Sequence, residues 1–454
     1  MYALRLRLDG TLEDALAALP ARGRFCLDGR PGHPEGRWTF FGAEPEETVE
    51  ARWGGSALEA LSALDAFEAR GPGAPGALEG DAIPLAPAAV PRWVGFVAYD
   101  AAWSRPRAFG LRAPARHARD PRWPIAWMGR YERLVAVDLD GGGAWALGPS
   151  RAACEALGRA VRAGRAPREA PRVGAIVGAI DAEPAALHRA RIERALDAIR
   201  AGTIYQVNLA RAWRARWEGS PLTLYAAMRA ASPVPLGALL ELDEGAVASR
   251  SMERFLRWDR ATGALWTSPI KGTIARAGDD AGEARALSAD DKERAEHAMI
   301  VDLMRNDLSR VAATGTVEVE APLRVEPFAK LSHLVSTVRC RTRPDATLGD
   351  VLAATFPPGS VTGTPKLAAM ELIERGEACA RGLYTGALGF VDRGGGLSLS
   401  VAIRTATILG GELTYFAGGG LVSASDPGRE IAETELKARV WFDALASIGR
   451  KNID

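Results

Sequence analysis

Apolar residues recur at three- and four-residue intervals in several long stretches of this chain and alternate with polar ones in many shorter stretches. Residues 183–201 place Leu187, Ala190, Ala195, Leu196 and Ile199 at helical spacing, and Gly202 is positioned to end that helix. Residues 288–309 predict a long helix with Ser288 as N-cap and Asp290 and Asp291 in its first turn. Thr364-Pro365 opens a further helix that stops at Gly376, and Asp426-Pro427 opens a last one running to about Ile448. Strand patterns appear at Arg37–Gly42, at Trp93–Tyr99, and at 383–392, 397–409 and 412–418. In Thr203–Ala210 a period of two sets Gln206 and Asn208 on one face and Tyr205, Val207 and Leu209 on the other. Strands often follow strands, which predicts an α+β architecture with antiparallel sheets. The Pro/Gly/Ala-rich stretch 71–92 reads as a loop and 162–171 as a linker, dividing an N-terminal region, 1–170, from a second unit, 180–448.

Composition narrows the function classes. The 454 residues carry 57 basic and 56 acidic side chains, a net charge of +1, so no overall field draws in nucleic acid or an anionic membrane. An anionic substrate must be caught by local groups. Cys26, Cys154, Cys340 and Cys379 lie far apart, suggesting neither a disulfide framework nor a zinc site. The first ten residues carry charges where a signal peptide needs an apolar core, and no apolar run approaches the roughly 20 residues that span a bilayer. A cytoplasmic protein is expected.

Three constellations could carry chemistry. Glu293, Glu296, Ile300 and Leu303 share one face of the 288–309 helix, and Glu430, Glu433, Lys437 and Val440 share one face of the last helix. Facing carboxylates of this kind can hold Mg²⁺, which takes oxygen ligands; acids in first turns also simply complement the helix dipole, and spacing alone leaves both open. Gly418-Gly-Gly420, after the strand Leu413–Ala417, offers either backbone amides for a carboxylate or a turn. Arg404, within the apolar strand Ala402-Ile-Arg-Thr405, needs a partner, either a ligand carboxylate or a protein acid. Lys271, in Ser268-Pro-Ile-Lys-Gly-Thr273, is a solvated strand-end lysine or, if buried near a metal, a nucleophile with lowered pKa. Gly359-Ser-Val-Thr-Gly363-Thr-Pro-Lys366 lacks the spacing of a phosphate loop, and His297 and His333 read as core or surface histidines.

Their order along the chain is more informative than any one of them. Tyr205-Gln-Val-Asn-Leu209, Ser251-Met-Glu-Arg-Phe255, Pro269-Ile-Lys-Gly-Thr273, Ala295–Asp307, His333-Leu-Val-Ser336, Phe356–Gly363, Ala402–Thr405, Ala417–Gly420 and Glu430–Lys437 resemble, in order, the chorismate-utilising family, over about Ile204 to Lys437. The resemblance implies an anthranilate synthase component I-like sandwich of antiparallel β-sheets flanked by helices, with two intertwined subdomains. It also implies site roles. Glu296 and Glu433 match Mg²⁺ ligands, supported by Glu293 and Glu430. Tyr384, Arg404 and the amides of Gly418, Gly419 and Gly420 match the group that binds the enolpyruvyl carboxylate. Lys437 lies by the ring carboxylate, Ser360 and His333 line the ring, and Glu253 matches the general acid/base for loss of the C4 hydroxyl.

Two positions separate the chemistries of this family. Gln206 stands where isochorismate and salicylate synthases have a lysine base; a neutral amide cannot deprotonate water, which suits ammonia. Lys271 stands where anthranilate synthases usually have alanine, which resembles the aminodeoxychorismate synthase branch, whose lysine is thought to attack ring C2. The resemblance therefore implies a transferase that aminates chorismate to 4-amino-4-deoxychorismate for 4-aminobenzoate and folate. Anthranilate synthase component I is the alternative. Ammonia is expected from a separate glutamine amidotransferase subunit, and a separate lyase is expected to process the product. Met252, Thr364 and Ser309 depart from the family pattern without removing a chemical group. Phe25-Cys-Leu-Asp-Gly29 departs from the Leu-Leu-Glu-Ser of feedback-inhibited members, which puts tryptophan inhibition in doubt.

Overall fold

β-Branched and aromatic runs broken by glycine pairs give this chain two large sheets in a computed structural model. It describes all residues except 71–76, 105, 163–174, 276–281, 283–284, 286–288, 290, 328–330, 449 and 452–454. The larger sheet has 14 strands and the smaller has 10. Among the described residues the pairing is antiparallel except at two short edges, Tyr2–Leu6 with Glu79–Gly80 and Ala175–Ala182 with Arg450–Lys451.

In the larger sheet the 13-residue strand Gln206–Glu218 lies between Ala175–Ala182 and Glu412–Leu421. The sheet continues through Thr405–Leu409, Gly245–Ser251 and Leu236–Glu241 to strands from the chain's beginning, including Phe25–Asp28 and Trp38–Gly42. The smaller sheet likewise mixes early and late strands, with Pro91–Val97 paired to Ala387–Asp392. Both sheets are therefore built from both ends of the sequence, which is the intertwining expected.

The sheets face each other across Phe25, Phe40 and Val247 from one and Val94, Phe96, Trp127 and Leu388 from the other. Helices Pro221–Ala231 and Pro427–Ile448 cover the outer face of the larger sheet; there Trp441 stacks on Tyr415, centroids 5.3 Å apart at 6°. Helices Asp291–Ser309, Leu348–Thr355 and Ala57–Arg70 cover the smaller one through Ile300, Leu303, Leu352 and Leu61. Each buried side chain of this size contributes about 1.5–3 kcal/mol by leaving water. No described helix is long and apolar enough to cross a membrane.

The predicted helices appear at Ala185–Arg200, Lys366–Gly376 and Pro427–Ile448. Gly202 adopts the left-handed φ of 73° expected beyond a helix end, whereas Pro365 is the cap residue and not the first helical one. The 288–309 helix is described from Asp291, so the Ser288 cap and Asp290 lie outside the described residues, as does the linker beyond Arg162. Two expectations need correction. The strand ending the chain's last hairpin does not stop at Ala417. It runs through Leu421, and Gly418, Gly419 and Gly420 pair with Ala210, Leu209 and Asn208, so the glycines form neither a turn nor a loop. The run 397–409 is two strands, Leu397–Val401 in the smaller sheet and Thr405–Leu409 in the larger. Arg404 sits in the crossing, at a left-handed φ of 51°, because the chain must turn sharply to change sheets.

Candidate active site

The missing side chains of the triple glycine make room for charge. A Cβ at Gly420 would lie 2.8 Å from Lys271 Nζ, 2.9 Å from Gln206 Nε2 and 2.9 Å from Glu296 Oε1. These groups come from three separate elements: the edge strand Ile270–Ala275, the strand Gln206–Glu218 and the helix Asp291–Ser309. Lys271 Nζ pairs with Glu296 Oε1 at 3.1 Å, and Gln206 Nε2 donates to the same oxygen at 3.4 Å. Gln206 Oε1 is buried without a hydrogen-bond partner. At the neighbouring Gly419 a Cβ would meet Glu430 Oε2 at 3.2 Å, Glu433 Oε1 at 3.8 Å and Lys437 Nζ at 3.9 Å. Lys437 Nζ pairs with Glu433 Oε1 at 2.6 Å and donates to the carbonyl of Gly418 at 3.0 Å.

Burial and charge set opposite demands on Lys271. Burial pulls its pKa down, but the carboxylates of Glu296, Glu253 and Glu433 outweigh that and hold the ammonium above its ordinary range. The lowering expected of a lysine beside a metal is not what these carboxylates alone produce. Glu253 is buried, and desolvation pushes its carboxyl up to about 7 despite a hydrogen bond from Ser360 and the nearby Lys271. A carboxyl of that pKa is poised to give and take protons near neutrality.

Tyr384 is buried and stacks on Phe416, centroids 5.2 Å apart at 13°. Arg404 donates to the carbonyl of Lys437 at 3.1 Å and forms no ion pair with an acid among the described residues. His333 is buried on the strand next to Lys271, with Thr273 opposite it. Ser360 lies in the 3₁₀ turn Gly359–Val361. Glu430 is buried, but Glu433 is half exposed, at 46% of its side chain, whereas Glu296 is buried. The Glu293 side chain lies outside the described residues.

Among the described residues no three acids, histidines or cysteines form a ready metal cage. The donor set still suits a hard divalent ion. Glu296 and Glu433 supply oxygens within electrostatic reach of one lysine, and Mg²⁺ retains waters or substrate oxygens for its other positions.

Sequence reasoning set His297 aside, yet its Nε2 lies 2.7 Å from Ser336 Oγ beside Glu296, and burial lowers its pKa to about 4. It also missed Glu377 and Arg381, a buried pair at 2.7 Å; their i,i+4 spacing just before Tyr384 was the available signal. Two cavities, of about 320 and 420 Å³, lie apart from the Gly420 cluster. The second is lined by Met252 and Ile270, the neighbours of Glu253 and Lys271.

Comparison with known proteins adds the family. An aminodeoxychorismate synthase component 1 from Klebsiella aerogenes is 42% identical over 252 residues, 55% of this chain and 55% of that protein. An anthranilate synthase component 1 from Thermus thermophilus is 41% identical over 257 residues, 56% and 55% of the two chains. The chain thus spans about half the length of these curated relatives in the matched region. The solved anthranilate synthase component I from Streptococcus pneumoniae superposes with a TM-score of 0.73 at 26% identity, covering 90% of this chain and 93% of that one. The model of the chorismate binding enzyme family matches residues 24–443, through strands of both sheets and every element of the Gly420 cluster, and the chain belongs to that family.

Proposed function

We propose that this chain aminates chorismate at C4, giving 4-amino-4-deoxychorismate. The observation that carries the reading is the convergence of Lys271, Gln206 and Glu296 on the space above Gly420. Arg404 and Tyr384 receive the enolpyruvyl carboxylate, and Lys437 neutralises the ring carboxylate. Lys271, as the neutral amine, attacks C2; the C2–N bond forms, both ring double bonds shift by one position (to C6=C1 and C4=C5), and the C4–O bond breaks as protonated Glu253 gives its proton to the departing hydroxyl, which leaves as water. Ammonia then adds at C4, both double bonds return, the C2–N bond breaks to release Lys271 as the neutral amine, and the Glu253 carboxylate takes a proton from the new C4 ammonium. The unpartnered Gln206 oxygen suits an N–H donor, and a buried acceptor of that kind stabilises whatever satisfies it. Mg²⁺ held by Glu296 and Glu433, with Glu293 and Glu430 behind them, would draw charge from the substrate carboxylate and relieve the hold of Glu296 on the Lys271 ammonium.

A separate glutamine amidotransferase would supply ammonia, and a separate lyase would convert the product to 4-aminobenzoate for folate. A second reading, anthranilate synthase component I, is favoured by the Thermus thermophilus relative at 41% identity and by the Streptococcus pneumoniae superposition. One assay separates them: purified protein with chorismate, Mg²⁺ and an ammonium salt at high pH. Product that becomes 4-aminobenzoate only after lyase is added supports the first reading; anthranilate fluorescence supports the second and overturns the first. Chelation with EDTA should stop turnover and excess Mg²⁺ restore it.

A further inference from the structure

We infer that Glu377 and Arg381 are positioning residues that hold Gln206, Ser360 and Tyr384 in one fixed arrangement around the substrate. The inference rests on the proposed handling of chorismate but not on which product forms.

Neither residue reaches the Gly420 cluster. Both are buried, at 6% and 2% exposure, where the helix Lys366–Gly376 gives way to the loop before Tyr384. Arg381 uses all five of its N–H donors, which is the full capacity of a guanidinium. Nε donates to Glu377 Oε2 at 2.9 Å and Nη2 to Glu377 Oε1 at 2.7 Å. Nη2 also donates to the carbonyl of Asn208 at 2.7 Å, and Nη1 to the carbonyl of Val361 at 3.1 Å and to Thr385 Oγ1 at 3.0 Å. Glu377 Oε1 accepts from the Ala210 amide at 2.9 Å. The guanidinium lies over the rings of Tyr99 and Tyr384, 4.9 and 5.5 Å from their centroids.

The three acceptors outside the pair share one property. Asn208 is two residues from Gln206, Val361 is next to Ser360, and Thr385 is next to Tyr384. One planar group therefore fixes the relative register of three segments that carry site residues and are distant in sequence. Thr385 sharpens the point. A β-branched residue at a left-handed φ of 62° is strained and persists only where its surroundings over-determine it. Here Thr385 Oγ1 accepts from Arg381 and donates to the carbonyl of Tyr384 at 2.6 Å, and its amide donates to Ala402 at 2.8 Å. A buried ion pair is a poor source of net stability compared with apolar packing, so what this one supplies is direction.

The test uses the full chain and reads chorismate affinity two ways: KM in the ammonium assay and Kd by equilibrium dialysis. Arg381→Lys keeps the charge but has three donors in place of a planar five; it should raise both constants tenfold or more, with kcat falling less. Thr385→Gly guards against a folding artefact. Glycine accepts the left-handed backbone, which offsets part of the cost of losing a buried side chain, so the melting temperature should fall only modestly, while loss of the oxygen raises KM and Kd at least threefold. Thr385→Ser, which keeps the oxygen, should recover most of that affinity. In Arg381→Lys/Tyr384→Phe the two losses should fail to multiply, because the arginine acts through the tyrosine. Wild-type KM and Kd in Arg381→Lys, or affinity in Thr385→Gly that follows melting temperature alone, would overturn the inference. Wild-type protein that binds chorismate but yields anthranilate would overturn the proposed reaction and leave this test in force.

Discussion

Glu253→Gln probes the proposed acid directly, and the structure sets both the sign and the size of its effect on folding. The carboxyl is 4% exposed, and burial raises its pKa from 4.5 to about 7. Below pH 4.5 the group is protonated in both folded and unfolded chains and costs nothing. Between 4.5 and 7 the unfolded chain ionises first, so stability falls as pH rises; above 7 the whole difference weighs against the fold. At roughly 1.36 kcal/mol for each tenfold change in the ionisation constant, a rise from 4.5 to about 7 amounts to about 3 kcal/mol. Glutamine keeps the shape and removes the titration. Guanidinium unfolding of wild type and variant at pH 5 and pH 8 should therefore show the variant's relative stability rising by about 2–3 kcal/mol across that interval. Any constant cost of the amide cancels between the two pH values. Turnover should meanwhile fall by about a hundredfold or more, the usual contribution of a positioned acid. A stability gap that does not change with pH would show that Glu253 titrates as an ordinary carboxyl, and a variant retaining a tenth of wild-type kcat would remove it from the chemistry.

Lys271→Ala should abolish 4-amino-4-deoxychorismate formation while leaving chorismate binding measurable by dialysis, and full activity in that variant rules out covalent attack. Gly420→Ala sets a methyl 2.8–2.9 Å from Lys271, Gln206 and Glu296; kcat/KM should fall by about two orders of magnitude, with an unfolding free energy lowered by no more than about 1 kcal/mol, because only side-chain tips must shift. Asp307→Asn leaves Lys366, bonded to Asp307 at 2.5 Å and to the Thr355 carbonyl at 2.7 Å, as a buried cation without its counter-charge. Loss of about 3 kcal/mol of stability by chemical denaturation is expected, and a loss under 1 kcal/mol would contradict the pairing.

Much of the site was legible because its residues fall in short, ordered motifs. Gln206, Lys271, Glu296 and Gly420 were each ambiguous alone; their order along the chain pointed to one site, and the structure brings these four residues together. Helix bounds were legible where a cap residue and a periodic face coincided, as at Asp426-Pro427. The sheets were not, because pairing such as Phe25–Asp28 against Leu236–Glu241 spans more than 200 residues and periodicity is local. Arg404 was misplaced for the same reason: Ala402-Ile-Arg-Thr405 has the composition of a strand, and only the tertiary fold reveals that its two ends belong to different sheets. Arg381 was legible only as an i,i+4 partner of Glu377, because its links to the strand at Asn208 and the turn at Val361 run through backbone carbonyls, which leave no mark on sequence.

The crossing at 402–404 also limits how the molecule can breathe. From Val401 to Thr405 the chain reaches at most roughly 14 Å when fully extended, and the left-handed turn at Arg404 shortens that span. Facing sheets already stand about 10 Å apart, so little slack remains at this corner. The chain also crosses between the sheets at Ser251–Arg254, Gly42–Glu47 and Arg130–Leu134, so short connections tie the layers at several places. The guanidinium of Arg404 thus projects from a corner that the backbone itself holds in place, which keeps its aim fixed.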